Sequence, residues 1–94
     1  MERKLLTHDE IEARLVDIEG WSAEGKSLKR RLEFEDFAGA LAFVNKVGAI
    51  AERHDHHPDI TFGWGYAEIV TTTHDRGGVT EFDVALAREI NGST

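Results

Sequence analysis

The residues of this chain best suited to chemistry are its histidines, four of which lie between positions 54 and 74: His54, His56, His57 and His74. Histidine takes up and releases protons near neutral pH because its ordinary pKa is about 6.5. Imidazole is also a frequent ligand of zinc and iron. This segment therefore predicts acid–base catalysis or a metal site, unless these histidines are ordinary surface side chains.

Acid–base catalysis is the interpretation that the spacing favours. His56 and His57 come immediately before Pro58, which blocks a helix from continuing, and His74 follows two predicted strands. If those strands form a hairpin, its two ends meet, and His74 faces His56 and His57. Imidazoles this close together alter each other's protonation, so that one can act as an acid and another as a base at the same pH.

A metal site and a purely structural role are the alternatives. His54 and His57 lie close in sequence to Asp55 and Asp59, and imidazole with carboxylate is a ligand set suited to zinc or iron. However, the spacing lacks the His-x-x-x-His pattern of helix-borne sites. For His54 and for the isolated His8 we expect a structural role.

Capping residues and apolar periodicity predict three helices. They begin after Thr7, Asp36 and Thr80, whose side chains can accept hydrogen bonds from the first turn of a helix. We expect the first helix to end at Gly20 and the second at about His54. A stripe of apolar residues at helical spacing follows each cap, so each helix has one face to bury.

The strands are predicted as two antiparallel hairpins. One covers residues 21–34 and turns at Gly25-Lys26, and the other covers residues 60–73 and turns at Gly65-Tyr66. Apolar and polar residues alternate over residues 28–34 and 60–64, except that Arg30 falls on an apolar face without an evident reason. Residues 67–73 are predicted as a strand because they are rich in β-branched residues. The order α-β-β-α-β-β-α predicts an α+β fold, in which a four-stranded antiparallel sheet has three helices packed on one face.

Composition narrows the classes of function. The 94 residues are predicted to form a single domain, residues 1–94, whose small core makes oligomers an expected source of stability. The absence of cysteine excludes disulfides, thiolate nucleophiles and iron–sulfur clusters. A net charge of −7 disfavours direct nucleic-acid binding, since a basic surface is the usual footprint. No signal-like leader or membrane-length apolar run is evident, so we expect a cytoplasmic protein that does not contact a membrane.

Several residues at fixed spacing resemble the signature of the pterin-4a-carbinolamine dehydratases. The positions are Glu52, His56-His57-Pro58, Trp64, His74 and Asp83, with further similarity at Gly20-Trp21, Phe34, Phe37 and Thr73-His74-Asp75. The resemblance covers most of the chain. It implies the same α+β fold, assembly into dimers or tetramers, and dehydration of 4a-hydroxytetrahydropterin to quinonoid dihydropterin. This reaction recycles the cofactor of aromatic amino acid hydroxylases. The resemblance implies no metal and no separate cofactor, because the pterin is the substrate.

The resemblance also assigns roles to individual residues. The resemblance implies that the catalytic and pterin-binding histidines are His56, His57 and His74. Of these, His56 and His74 are expected to act as the acid and base toward the substrate, and His57 is expected to position the pterin. Asp55 and Asp83 are expected to orient the imidazoles by hydrogen bonds or to hold the amino edge of the pterin. From their positions in the sequence near the histidines, Thr72 and Thr73 are expected to contact the ligand and Trp64 to stack on its flat ring. Ile60 stands where the family often has a tryptophan, so one aromatic wall of the pocket is expected to be missing.

The alternative function is a protein-interaction module of the same fold. Some relatives of this fold act as dimerisation cofactors of transcription factors, and others act in Rubisco assembly. A module that only binds protein would be expected to lose the histidines, whereas this chain retains His56, His57 and His74. The expected partners are therefore a pterin and further copies of the chain, with another protein as the alternative.

Overall fold

The computed structural model describes residues 3–94 and contains three helices and four strands in the predicted order. The helices are α1 (His8–Leu15), α2 (Phe37–His54) and α3 (Glu81–Gly92), and the strands are β1 (Ser22–Glu24), β2 (Ser27–Glu33), β3 (Asp59–Gly63) and β4 (Tyr66–Thr71). A short 3₁₀ helix, His74–Arg76, follows β4. The predicted α+β fold is confirmed.

The four strands form one antiparallel sheet in the order β1-β2-β4-β3. Each hairpin contributes two neighbouring strands, and the hairpins join where β2 pairs with β4, for example at Leu28 opposite Thr71. Strands β1 and β3 are therefore the two edges of the sheet. The ends of β3 and β4 distant from their connecting turn lie next to each other, with Asp59 opposite Val70.

All three predicted N-caps are confirmed. The hydroxyl of Thr7 accepts from the Glu10 amide at 3.2 Å, and the Glu10 carboxylate accepts from the Thr7 amide at 2.8 Å, which completes a capping box. Asp36 caps α2 by accepting from the Gly39 amide at 2.8 Å. Thr80 caps α3 in a second capping box. These caps fix where each helix begins.

Two predicted boundaries are wrong. Helix α1 ends at Leu15 rather than at Gly20, because the next amides bond three residues back and tighten into turns, as Ile18 does to Leu15 at 3.3 Å. The second hairpin turns at Trp64-Gly65 rather than one residue later. Gly65 has a φ of 84°, which suits a turn position, and Tyr66 already pairs with Gly63.

One face of the sheet packs against the helices and forms the core. The buried apolar residues that meet there are Ile18, Leu28, Val47, Ile50, Ala67, Ile69, Val84, Leu86, Ala87 and Ile90. The opposite face is polar: Lys29 lies 3.7 Å from Glu24 and 3.6 Å from Glu68, and the Arg31 guanidinium lies 4.4 Å from the centre of the Tyr66 ring. A sheet of this kind can leave its polar face in water.

Arg30, which the strand pattern left unexplained, is satisfied by α3. Its guanidinium donates to the side-chain oxygen of Asn91, which also accepts from the Trp21 indole at 2.8 Å. The Asn91 amide nitrogen donates to the Glu19 carbonyl at 3.0 Å. The Arg30 guanidinium on the apolar face of β2 therefore links this strand to α3 by a hydrogen bond. Within residues 3–94, no helix is both long enough and apolar enough to span a membrane.

Candidate active site

A cavity of about 340 Å³ opens where the end of α2, the end of β4 and the 3₁₀ helix meet. It is lined by Arg3, Asp55, His56, His57, Thr72, His74 and Asp75. The structure therefore brings three of the clustered histidines to one site, although His74 is distant from the other two in sequence. A volume of this size falls in the range of small-molecule pockets.

The C-terminus of α2 places two adjacent histidines in different environments. Asp55 has a φ of 49°, a left-handed conformation that aspartate tolerates better than most residues, and its amide donates to the carbonyls of Ala51 and Glu52. The His56 amide bonds back to the Ala51 carbonyl at 3.1 Å. After this reversal the His56 side chain is only 7% exposed, whereas the His57 side chain is 55% exposed.

His56 is held by a buried carboxylate. Its Nε2 lies 2.6 Å from Oδ1 of Asp83, whose side chain is fully buried. Asp83 Oδ1 also accepts from the Thr71 hydroxyl at 2.6 Å, and Oδ2 accepts from the Thr73 hydroxyl at 2.8 Å and the Thr80 amide at 2.9 Å. Each oxygen of Asp83 thus accepts two hydrogen bonds, and these bonds offset the free-energy cost of burying the charged carboxylate.

This arrangement fixes the tautomer of His56. An ionised carboxylate only accepts hydrogen bonds, so Nε2 of His56 donates to Asp83 and therefore carries a proton. In the neutral ring the lone pair then lies on Nδ1, as the partner of one imidazole nitrogen decides the state of the other. His56 can take up a proton at Nδ1, and Asp83 would stabilise the resulting imidazolium.

The remaining histidines differ in their partners. His57 hydrogen-bonds through Nε2 to Glu52, and both side chains are exposed. His74 is exposed at the start of the 3₁₀ helix, in a loop closed by pairing of Thr73 with Gly78. His54 lies 2.7 Å from Glu89 and does not line the cavity. Its structural pairing agrees with the sequence analysis.

The other predicted contact residues differ in whether they reach the cavity. Asp55 and Thr72 line the cavity, and the Thr72 hydroxyl donates to the Lys26 carbonyl at 2.6 Å. Thr73 and Asp83 are 1% and 0% exposed, so direct contact with a ligand is the wrong expectation for them, and orientation of His56 is the role that their geometry allows.

Trp64 lies at the turn of the second hairpin, and its position contradicts the predicted stacking on a ligand in this cavity. Strand β3 carries the chain away from the histidines before reaching Trp64, by about 16 Å for five extended residues. Trp64 is 73% exposed at that far end. Sequence proximity to His57 was therefore a misleading signal.

Arg3 and Asp75 line the cavity, and the sequence analysis missed their ion pair. Arg3 Nη2 lies 2.5 Å from Oδ1 of Asp75, and Nε lies 3.3 Å from Oδ2. The hydrogen bond from Arg3 lowers the pKa of the Asp75 carboxyl below its ordinary value and raises the pKa of Arg3. No short-range pattern connects two residues this far apart, although the neighbouring Thr73-His74-Asp75 segment was noted.

Within residues 3–94, no three histidine, aspartate or glutamate side chains converge on a point suited to a metal ion. Two carboxylates near the histidines are each paired with one of them, Asp83 with His56 and Glu52 with His57.

Comparison with known proteins gives the class to which this fold and this site belong. The family model described as pterin 4 alpha carbinolamine dehydratase matches residues 4–93. The chain belongs to this family, and the resemblance noted in the sequence is confirmed.

Relatives from distant organisms match most of the chain. A protein of Thermomicrobium roseum is 45% identical over 85% of this chain and 86% of its own length, and one of Sulfolobus acidocaldarius is 43% identical over 92% and 94%. Both carry pterin-4-alpha-carbinolamine dehydratase as a provisional name.

Solved structures share the fold. A protein of Brucella melitensis described as a transcriptional coactivator/pterin dehydratase superposes with a TM-score of 0.90 at 31% identity, covering 95% of this chain and 97% of the other. A pterin dehydratase-like protein identified as a RuBisCO assembly factor of the alpha-carboxysome superposes with a TM-score of 0.63 at 25% identity, covering 77% and 83%. Solved structures that share this fold are therefore described by different roles.

Proposed function

We propose that this protein catalyses the dehydration of a 4a-hydroxytetrahydropterin to a quinonoid dihydropterin. The observation that carries the proposal is the buried Asp83–His56 pair, which faces a cavity shared with His57 and His74. Family membership supports a pterin as the substrate class. The cavity of about 340 Å³ accommodates a bicyclic ring.

The reaction requires two proton transfers and no covalent intermediate with the protein. The bond between C4a and the hydroxyl oxygen breaks, and the hydroxyl leaves as water after receiving a proton. The ring nitrogen N5 gives up its proton, and its electron pair forms the new double bond to C4a. One acid and one base on different sides of the pterin therefore suffice.

We assign the two proton transfers to two different histidines. Nδ1 of His56 accepts the N5 proton, because Asp83 holds the proton of the ring on Nε2 and stabilises the charge that develops. His74, which lines the same cavity, donates a proton to the departing hydroxyl. His57, which is exposed and paired with Glu52, contributes mainly to binding the ring.

Replacement of single histidines tests this division. His56→Ala and His74→Ala should each lower kcat for dehydration by about 100-fold or more, since each removes one proton-transfer group. His57→Ala should act mainly on KM. His54→Ala is the matched control, because His54 is paired with Glu89 outside the cavity and should leave kcat unchanged.

The test has a clear negative outcome. An equal loss of kcat in His54→Ala and His56→Ala would show that the cavity is not the site of catalysis. The rate is followed by ultraviolet absorbance with freshly generated 4a-hydroxytetrahydrobiopterin, and circular dichroism confirms that each variant is folded.

Assembly into a homodimer or homotetramer forms part of the proposal. Phe37 and Leu41, on one face of α2, are 44% and 40% exposed, and the Phe37 ring lies 5.5 Å from that of Phe62 on the edge strand β3. Exposed Trp64 follows at the end of the same strand. Sedimentation should give at least twice the monomer mass of 10.5 kDa, and a monomer at micromolar concentration would contradict this part of the proposal.

A second candidate function, binding of another protein, is favoured by the same exposed apolar residues. The two solved relatives described as a coactivator and as a RuBisCO assembly factor show that such roles occur among structures of this fold. Dehydration and protein binding use different surfaces, because Phe37, Leu41 and Trp64 do not line the histidine cavity. An absence of dehydratase activity would leave protein binding as the remaining function.

A further inference from the structure

Residues 3–6, which precede α1, place the guanidinium of Arg3 at the wall of the histidine cavity. The Leu6 amide donates to the Val79 carbonyl at 2.9 Å, and Leu5 packs so closely on Gly78 that a Cβ there would lie 2.9 Å from the leucine side chain. These contacts hold the segment against the loop that follows His74. Arg3 thereby becomes part of the cavity wall.

Asp75 and Phe82 fix the orientation of the Arg3 guanidinium. Asp75 accepts from Nε and Nη2, and the guanidinium carbon lies 5.4 Å from the centre of the Phe82 ring, the same ring that lies 5.9 Å from His56. Among the described residues, Nη1 of Arg3 has no hydrogen-bond partner. A guanidinium bound in this way keeps its charge and retains donors for another acceptor.

The chemistry of the cavity indicates which ligand atom could accept a hydrogen bond from the Nη1 group of Arg3. Of the residues that line the cavity, Arg3 alone carries a permanent positive charge, since the others are histidines, carboxylates and a threonine. In a 4a-hydroxypterin the carbonyl carbon C4 is bonded directly to C4a, which carries the leaving hydroxyl. A group beside the acid His74 therefore lies near the ring carbonyl, and Arg3 is paired with Asp75, the residue adjacent to His74.

We propose that Arg3 is a substrate-binding residue whose guanidinium, held by Asp75, donates a hydrogen bond to the C4 carbonyl oxygen of the bound pterin. This inference rests on the proposed function, because it requires a pterin in the cavity. It extends that function by naming a residue that distinguishes 4-oxo from 4-amino rings. A carbonyl oxygen accepts from the guanidinium, whereas a 4-amino group presents a donor to it.

Binding measured with two ligands and two protein forms tests the inference. The ligands are 7,8-dihydropterin and its 2,4-diamino counterpart, and the proteins are the wild type and Arg3→Ala, compared by calorimetric or fluorescence titration. Arg3→Ala should raise the Kd for dihydropterin about tenfold. This effect is near the lower end of the range expected for loss of a hydrogen bond to a charged group, because the Arg3 side chain is 43% exposed. The Kd for the diamino ligand should stay the same or fall.

Two further variants separate binding from structure. Arg3→Lys keeps the charge but loses the planar donor geometry, and should give an intermediate Kd. Arg88→Ala is the matched control: Arg88 lies 3.7 Å from Asp17 in a similarly exposed pair remote from the cavity, so its Kd values should equal those of the wild type. In turnover, Arg3→Ala should raise KM while kcat changes little.

The outcomes also separate this inference from the proposed function. If Arg3→Ala weakens both ligands equally, or neither, Arg3 does not contact the carbonyl and the inference is wrong. If the wild type binds dihydropterin but does not dehydrate the substrate, the proposed activity fails and the Arg3 comparison still decides the inference. If the wild type binds neither ligand, the inference is overturned, and the dehydration assay decides the proposed activity separately.

Discussion

Replacing Asp83 by asparagine probes the most specific feature of the site. Both oxygens of Asp83 accept two hydrogen bonds, from His56 and Thr71 on one side and from Thr73 and Thr80 on the other. Asparagine keeps the shape of the side chain but offers one oxygen and one amino group. Its amino group must therefore face one of the two pairs of donors.

The partners decide which orientation asparagine adopts. The Thr80 amide is a backbone donor that cannot become an acceptor, so turning the new amino group toward it would leave a buried N–H unpaired, at a cost of about 1–3 kcal/mol. On the other side, the Thr71 hydroxyl can accept, and His56 can accept at Nε2 if its proton moves to Nδ1. We expect this second orientation because it keeps an acceptor for the buried Thr80 amide, which cannot change its role.

The consequence is a small loss of stability and a large loss of activity. Replacing charge-assisted bonds with neutral ones should lower the free energy of unfolding by about 1–2 kcal/mol. Moving the proton of neutral His56 to Nδ1 removes the lone pair that faces the substrate. The value of kcat should then fall by about 100-fold or more, the usual contribution of a general base.

Three measurements follow this variant. Dehydration kinetics give kcat, urea unfolding gives stability, and nitrogen NMR shifts of His56 report its tautomer. Glu89→Gln is the matched control, because it alters a carboxylate–imidazole pair with His54 outside the cavity. It should leave kcat at the wild-type value. If Asp83→Asn keeps kcat within about threefold of the wild type, His56 does not depend on Asp83 as argued, since loss of a general base has a much larger effect.

Other perturbations test the parts of the structure around the site. The φ of Asp55 is positive, a conformation that glycine adopts freely and alanine does not. Asp55→Gly should therefore raise the free energy of unfolding by up to about 1 kcal/mol, and Asp55→Ala should lower it by about 1 kcal/mol. Urea unfolding measures both changes. Asn91→Ala should cost about 2 kcal/mol in the same assay by leaving the Trp21 indole without its acceptor, and a loss below about 0.5 kcal/mol would contradict this role. The hydrogen bond from His54 lowers the pKa of Glu89 below its ordinary value of 4.5, so the unfolded chain binds this proton more readily. The stability difference between wild type and Glu89→Gln should therefore be full above pH 4.5 and disappear as the pH falls below it; a difference that persists in acid would contradict the pairing.

Much of the fold was predictable because local signals agreed with the tertiary structure. The capping residues Thr7, Asp36 and Thr80 marked the helix starts, since an N-cap depends only on residues within one turn. Alternation of apolar residues identified the strands. Boundaries set by turn geometry were less predictable, as the early end of α1 at Leu15 and the turn at Trp64-Gly65 show.

The candidate site was predictable only in part, for a physical reason. His56, His57 and His74 could be placed together because a hairpin brings its two ends side by side. Which side chains face the cavity depends on packing between distant elements. Such contacts bury Asp83 behind His56 and bring Arg3 to Asp75. They also leave Trp64 exposed at the opposite end of the hairpin.

The most direct test of the account is the rate at which freshly generated 4a-hydroxytetrahydrobiopterin loses water, followed by ultraviolet absorbance. The wild-type protein should accelerate this reaction over buffer in proportion to its concentration. A His56→Ala/His74→Ala double variant that remains folded should return the rate to that of buffer. Equal acceleration by both proteins, or no acceleration by the wild type, would contradict histidine-catalysed dehydration in this cavity.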